Sequence, residues 1–592
     1  MILQALTGLF EDLVQQGKLS KPGWSPAKIS YALCLDSTGA LTYVVPLLSE
    51  KTAGKKTKLI PKALNLPSPV VRPGESIRPN FLWDNASYIL GADEKRKREQ
   101  SRSRFQACVQ LHHQLLDDVS SPAAKAILAF FDSWQPELAR DCAALADCWQ
   151  DLMKGANLIF RVDGRFAQDD PLIRAAWDSH YGDSSGEMAQ CLVTGRADVV
   201  EPVHPAVKGV VGAQSSGAAL VSFNESAFCS YGKKRSLNAP VGKYAAFAYT
   251  AALNYLLSDR ENVHRIGDTT VVCWAEGAEP QYSAFFGLSV LGNDGPDALS
   301  SDDLRAALNN LAQGLPCEEL KLDPNRPFYI LGLAPNAARL SVRFFYRDSF
   351  GMLMRNVNEH HKRMDIVGKT YPITPLWALL RETVRKPENG QKPPEPNPVL
   401  TAATARTIFL NLEYPFSLLT AIMNRIHVEQ DISPIQAAIL KAYLLALTKK
   451  RSQISPGQAS IQIIQEVAQV DLNRECTDVP YLLGRLFAVM ERIQLASANW
   501  ELNQTIKKSF FSSATNSTAY TFKKILQLGE YHMIKLNRDK PNLARKLEAE
   551  KVEILCKITF DIPVRLSIEE STRFYLGYYH QQQLLQTKKE DK

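Results

Sequence analysis

Ile2, Leu3, Leu6, Leu9, Phe10, Leu13 and Val14 fall on one broad stripe at helical spacing, and Gly17 follows as a stop, which predicts a helix over 2–14. β-Rich runs flank the turn-prone Asp36-Ser37-Thr38-Gly39 in SYALCLDSTGALTYVVPLL, and a second pair flanks Asp163-Gly164 in NLIFRVDGRF, so two hairpins are expected. Further short strands are predicted in CLVTG from 191, AALVSF from 218 and TTVVCWAE from 269. Between the last two, Val241, Ala245, Ala248, Tyr249, Ala252, Leu253 and Leu256 form a helical face after Pro240. Lys51 to Val71 is lysine-rich, broken by Pro and Gly, and lacks apolar periodicity, which predicts an exposed, basic, mobile loop.

FYILGLAPNAARLSVRFFYRDSF reads as two strands about Ala334-Pro335-Asn336. Alternation on the second places Leu340, Val342, Phe344 and Tyr346 on one face and Arg339, Ser341, Arg343, Phe345 and Arg347 on the other, one apolar and one basic and aromatic. The proline-rich KPENGQKPPEPNP, residues 386–398, reads as an extended spacer. Beyond it strand signals fade, and helical patterns recur at Ile435–Leu447, Tyr481–Ile493, Phe522–Leu536, Leu543–Ile558 and Phe574–Leu585. The expected fold class is α+β. A large mixed region, 1–385, holds short antiparallel strands and helices with an internal break near 110–155. The spacer 386–398 leads to an all-α bundle over 399–592.

Composition changes this picture little. Of 592 residues, 45% are hydrophobic and 22% charged, which excludes a largely disordered or collagen-like chain. No apolar run is long enough to span a bilayer, and Glu11 and Asp12 interrupt what would otherwise resemble a signal peptide. Ten cysteines without a two-residue pair spacing fit reduced thiols in the cytoplasm. Charge is more informative in its distribution than in its net value of +7. Residues 51–110 carry thirteen Lys or Arg against five Asp or Glu, and residues 490–592 carry seventeen against twelve. Concentrated cations favour a polyanion through counterion release, although a solvated cationic face has the same composition.

No assembled catalytic site is legible. Ala53-Gly54-Lys55-Lys56-Thr57 lacks the first glycine of a P-loop, and Gly209, Gly212 and Gly217 have neither dinucleotide spacing nor a following helix. That glycine segment is read either as a tight turn or as a backbone approach to phosphate. The pairs His112-His113 and His360-His361 are expected on helix surfaces, and Cys191 with His204 is too small a set for zinc. Neither a metal nor a cofactor is expected.

Several long blocks resemble one family: MILQAL at the start, RPNFLWDNASYILG at 78–91, CLVTG at 191, then HPAVKGVVGAQ, LVSFNESAFCSYGKKRSLNAPV, AAFAYTAALNYLL, LGLAPNAARLSVRF, PYLLGRLFAV and LGYYHQQQ. Together they are similar to the large subunit of the type I-C CRISPR Cascade surveillance complex. The resemblance implies a non-catalytic subunit at the foot of an RNA-guided complex. There it would recognise the protospacer-adjacent motif in double-stranded DNA and promote unwinding and R-loop formation, while guide pairing reads sequence. It also implies partners: backbone and guide-handle-binding subunits, crRNA, target duplex and displaced strand, a separate helicase-nuclease, and a small subunit translated from inside the same gene, starting at Met490 or equally at a non-ATG codon upstream of it.

On that basis Lys55, Lys56, Lys58, Arg78, Asn80, Phe81, Trp83 and Asn85 are candidates for the motif and duplex. Amides read base edges or groove acceptors, and the aromatics serve as wedges or as core. Gln214, Ser222, Asn224, Lys233, Lys234, Asn238, Arg339 and Arg343 are candidates for the RNA handle or DNA backbone. Lys507, Lys508, Lys523, Lys524, Lys535, Arg538, Arg545 and Lys546 are candidates for the displaced strand. The competing readings are a metal-dependent nuclease with carboxylates gathered from distant positions, and a passive scaffold.

Overall fold

The computed structural model describes residues 1–53, 56–70, 77–93, 98–182, 186–223, 225–292, 300–371, 373–387, 393–454, 458–498, 505–558 and 561–587; of residues 49–53, 56–59, 98, 301, 449–454, 458–460 and 587 it describes the backbone alone. The chain forms two compact units, residues 1–205 with 221–253 and residues 206–220 with 254–592. The first is mixed and the C-terminal part of the second is helical, the expected α+β class.

In the first unit the amphipathic helix Ile2–Gln15 buries Leu6, Leu9, Phe10 and Leu13. The predicted hairpin forms from Tyr31–Leu35 and Leu41–Pro46. Tyr31–Leu35 also pairs in parallel with Asn157–Val162, whose far side receives Trp83–Asn85. At the second predicted turn Asp163 and Gly164 have φ of 46° and 82°, the left-handed pair that a two-residue hairpin requires, and Arg165–Phe166 folds back on Asn157–Val162.

Three local expectations are corrected here. The lysine-rich stretch is no loop: Leu48–Ala53 and Lys56–Pro67 pair antiparallel, and Trp24–Ile29 completes a three-stranded sheet. CLVTG is a turn between the short strands Met188–Gln190 and Ala197–Val199, closed by Gly195 N–H on the Cys191 carbonyl. AALVSF makes only isolated bridges at Ala218 and Ala219.

The second unit opens with an antiparallel meander in the order Val263–Ile266, Thr269–Ala275, Pro327–Asn336, Arg339–Ser349. Its register shifts between Gly332 and Leu333, which leaves Arg343 as a bulge and interrupts the expected alternation: Val342 is exposed, while Phe344 packs on the core. After Ser349 no strand occurs among the described residues. Every predicted C-terminal helix is present, as Pro434–Ile454, Val479–Ser497, Thr518–Asp539, Pro541–Lys557 and Ile568–Thr587. Sheet and helices share one apolar core running from Ile266 to Tyr579.

Two helices of this core cross at glycines. A Cβ on Gly484 would fall on the Phe574 carbonyl, and a Cβ on Gly577 on the Tyr481 carbonyl, so Val479–Ser497 and Ile568–Thr587 pack backbone to backbone. The same helix buries Arg485, whose Nε donates to Gln581 Oε1 at 3.0 Å and whose Nη2 lies 3.3 Å from Glu553 Oε1. Met490 is fully buried midway along it, so a product initiated there would lack the helix's first half, including Gly484 and Arg485. Of the proline-rich spacer, residues 388–392 lie outside the described residues, and its last residue, Pro398, already begins the helix Pro398–Leu410 under an Asn397 cap.

Candidate nucleic-acid surfaces

The block RPNFLWDN is built into the fold. Asn80 is buried, its Oδ1 accepting the Val70 N–H at 3.0 Å, and its own N–H donates to Asp84 Oδ2 at 2.9 Å. Phe81 is stacked on Trp177 at 5.4 Å and 14°. Trp83 Nε1–H donates to the Pro67 carbonyl at 2.8 Å, and Asn85 Oδ1 caps the turn Ala86–Ile89 through the Ser87 N–H. Leu82 adopts φ of 65°, costly for a branched side chain, and its N–H donates to His112 Nε2 at 3.0 Å. His112 Nδ1 in turn donates to the Cys108 carbonyl at 2.7 Å. Burial pushes His112 down to about 4, so the imidazole stays neutral and can accept that bond.

His112 is therefore an interior clamp and not the expected surface histidine. His360 is buried as well, with Nδ1 2.6 Å from the Tyr414 hydroxyl, and His361 Nε2 donates to the Ser289 carbonyl. His113 is half-buried and lies between the exposed carboxylates of Asp117 and Asp132. In this arrangement Asn80, Phe81 and Trp83 do not face a groove; of the block's candidates Arg78 alone stands on the exposed surface. Lys55 lies outside the described residues, and Lys56 and Lys58 are described by backbone only, both on the strand Lys56–Pro67.

Around the glycine segment the chain doubles back through a Val207–Ala218 bridge, and Gly209, Gly212 and Gly217 are all left-handed. The loop is laid on the meander. Val211 N–H donates to Thr270 Oγ1 at 3.1 Å, Ala219 N–H to the Ala338 carbonyl at 3.0 Å, and Leu340 N–H to the Ala219 carbonyl at 2.9 Å. Exposed Gln214 is thereby carried on a segment joined to the strand that holds Arg339. The tight-turn reading accounts for these glycines.

On the strand Arg339–Ser349 the expected basic and aromatic positions reach solvent in part: Arg343 and Arg347 are exposed, and Arg339 and Phe345 are half-buried. Arg343 is paired with Asp268 at 3.2 Å. The aromatic stack on that sheet, Trp274 on Tyr329 at 5.1 Å and 13°, is buried, with Phe345 beyond it and Arg347 over the Tyr329 ring.

Two other places bring cations and aromatics to solvent. One is the loop 225–238. Tyr231 is 99% exposed at φ of 53°, with Gly232 at 70° and Arg235 at 48°. Lys233, Lys234 and Arg235 are exposed behind it, and among the described residues none of the three is paired with a carboxylate. Asn238, a predicted contact, is instead a latch: Oδ1 accepts the Ser230 N–H at 2.8 Å, and Nδ2 donates to the carbonyls of Lys233 at 3.1 Å and Arg235 at 2.9 Å. Ser236 Oγ–H ties the loop to the Pro202 carbonyl at 3.0 Å. Ser222 is half-buried, and Asn224 lies outside the described residues.

The other is the helix Thr518–Asp539. Its inner face buries Phe522, Ile525, Met533 and Leu536. The opposite face presents Tyr520, Lys524, Tyr531, Ile534, Lys535 and Arg538 at helical spacing, with Tyr531 75% and Ile534 71% exposed. Lys524 Nζ sits 4.5 Å above the Tyr520 ring, an exposed cation–π pair. Lys523 flanks the stripe, and on the next helix Lys546 is exposed while Arg545 donates to Asn542 Oδ1. Lys508 is exposed on its own short helix. Lys507 has a structural task, paired with Asp431 at 2.6 Å and lying over the Tyr578 ring. The lysines of this stripe were legible in the sequence. The tyrosines were overlooked, although 520, 524, 527, 531, 534 and 538 already mark one helical face.

Among the described residues no group of three or more His, Cys, Asp or Glu is placed to hold a metal ion, and no helix is long and apolar enough to cross a membrane. A sequence profile of the CRISPR-associated protein (Cas_Csd1) family matches residues 6–586. The chain belongs to that family. None of the curated proteins compared with it matches. Because the Cas_Csd1 match runs through both compact units, the loop 225–238 and the helix Thr518–Asp539 are parts of one CRISPR-associated protein.

Proposed function

We propose that this chain is the non-catalytic large subunit of a type I-C Cascade complex. It recognises the protospacer-adjacent motif in double-stranded DNA, promotes unwinding and R-loop formation around the crRNA held by the backbone and guide-handle subunits, and supports recruitment of a separate helicase-nuclease. The observation that carries this reading is the solvent face of Thr518–Asp539. A stripe of exposed tyrosines and cations, of which Arg538 is paired with Asp539 at 3.0 Å, supplies both base stacking and phosphate neutralisation, the two elements of single-strand binding. It suits the displaced strand, which is unpaired and offers base faces as well as phosphates. The exposed cations of the loop 225–238 supply a separate positive site for duplex or handle phosphates.

The test is a salt titration of target-DNA binding by the guide-loaded complex. Changing Lys523, Lys524, Lys535 and Arg538 together to alanine is expected to flatten the slope of log affinity against log salt by up to about 3. The ratio of affinities for motif and non-motif duplexes stays as in the unaltered complex, since these residues read no base. An unaltered slope refutes the assignment of this face to DNA.

A further inference from the structure

A fully exposed tyrosine in left-handed backbone is an uncommon arrangement, and the loop 225–238 is built to hold it. Asn238 spends both ends of its side-chain amide on three backbone groups of the loop, and Ser236 ties the base to Pro202. The result is a braced tip, Tyr231-Gly232, with Lys233, Lys234 and Arg235 directly behind it. No packing explains the ring, which is 99% exposed. Strain kept at an exposed position by surrounding hydrogen bonds points to a task for the side chain so displayed.

The arrangement also limits what that task is. A groove that tracks a single strand carries successive aromatics, as the helix Thr518–Asp539 does. Tyr231 is the ring at the braced tip, with Phe228, 42% exposed, three residues back in the loop; a ring placed at such a tip meets one base step, and cations immediately behind it meet the phosphates on either side of that step. That is the geometry of an inserted wedge, which unstacks a step while nearby charges hold the backbone.

We propose that Tyr231 is the wedge that enters the DNA stack where the duplex first opens, with Lys233, Lys234 and Arg235 clasping the adjoining phosphates. This rests on the reading of the chain as a DNA-opening subunit. It moves the wedge from Phe81 and Trp83, which are core, to a residue in a different segment of the same unit.

The test uses the guide-loaded complex and target duplexes carrying 2-aminopurine at the first position beyond the motif, alongside a duplex with a pre-opened bubble at that position. The unaltered complex is expected to raise the 2-aminopurine fluorescence as the step unstacks. Tyr231→Ala is expected to slow that rise about tenfold, the loss of one base–aromatic stack, yet to bind the bubble duplex as the unaltered complex does. Tyr231→Phe keeps the rise, because the ring and not the hydroxyl does the unstacking. Changing Lys233, Lys234 and Arg235 to alanine weakens affinity for both duplexes and flattens the salt slope by up to about 3. Equal opening by the unaltered and Tyr231→Ala complexes overturns the wedge, as does crosslinking of Tyr231 to guide RNA in place of DNA. Failure of the unaltered complex to bind either duplex would instead overturn the reading on which the wedge rests.

Discussion

Gly484→Ala is expected to destabilise the helical part of this protein severely, by about 3 kcal/mol or more, the upper end of what overpacking costs. The added methyl group has no space to enter: it meets the Phe574 carbonyl and the Tyr578 amide, which are backbone atoms of a buried helix and cannot rotate away. Relief requires Val479–Ser497 and Ile568–Thr587 to separate, and both lie at the centre of the shared core. Separation would also pull Gln581 from buried Arg485, leaving Glu553 of the helix Pro541–Lys557 as its acidic partner, and would disturb the Tyr578 hydroxyl on Glu491, 2.6 Å apart. Removing partners from a buried charge is itself strongly destabilising. Gly577→Ala attacks the same crossing from the other helix and should match it. Thermal unfolding followed by circular dichroism is expected to show a midpoint lowered by roughly 5 °C or more in each variant. Gly8→Ala, at a helix-interior position with nothing within 4 Å of the added methyl, serves as the control and should melt no lower than the unaltered protein, since alanine is the better helix former.

Acid is expected to unfold the protein well above the range in which carboxylates titrate. Five histidines are buried: His112, His204, His264, His360 and His580. Burial pushes the first three down to about 4 and His580 down to about 3, and holds His360 well below its ordinary value. In an unfolded chain each titrates near 6.5. The folded state thus holds these rings neutral at a pH where the unfolded state has already protonated them. The stability this represents is complete above pH 6.5 and is lost as pH falls through the unfolded value toward the folded one. Each ring contributes a slope of about 1.4 kcal/mol per pH unit in that window, so five give about 7 kcal/mol per unit near pH 5. Total stabilities of about 5 to 15 kcal/mol do not survive such a slope for long. His113, raised by its hydrogen bond to Asp117, acts in the opposite sense, as do the carboxyls of Glu201, Glu382, Asp478 and Glu491, which burial raises, and these groups soften the slope without reversing it. Denaturant midpoints measured from pH 7.5 to 4.5 should fall steeply below pH 6.5. A midpoint constant to pH 4.5 would show that the rings are not enclosed as described.

These histidines also show what sequence could not supply. His112-His113 and His360-His361 were placed on helices by pattern, and helices hold them. Which face of each helix turns inward depends on partners such as Leu82 and Tyr414 that lie far along the chain. The helical C-terminal part was legible because its apolar residues repeat with the helical period. The strands at Leu48–Ala53 and Lys56–Pro67 were not, since lysines and two prolines hide a strand pair whose order comes from backbone bonds to a neighbouring strand. RPNFLWDN carries amide, aromatic and cationic residues suited to reading a duplex, yet in the fold it holds a left-handed Leu82, a buried Asn80 and a neutral histidine clamp, none of which is written in residue type. The exposed basic positions of 233–235 and 523–538 lay within the blocks and charge runs already marked. Their aromatic companions Tyr231, Tyr520 and Tyr531 escaped notice because exposure, unlike charge, is not written in composition.

The central claim is that this subunit confers motif-dependent DNA binding. It is tested most directly by a gel shift of the guide-loaded complex, prepared with and without the chain, on labelled duplexes that differ only in the adjacent motif, in magnesium buffer. The account predicts retention of the motif duplex alone, lost when the chain is omitted, with both strands intact. Equal retention of the two duplexes by the complete complex, or strand cleavage by it, would contradict the account.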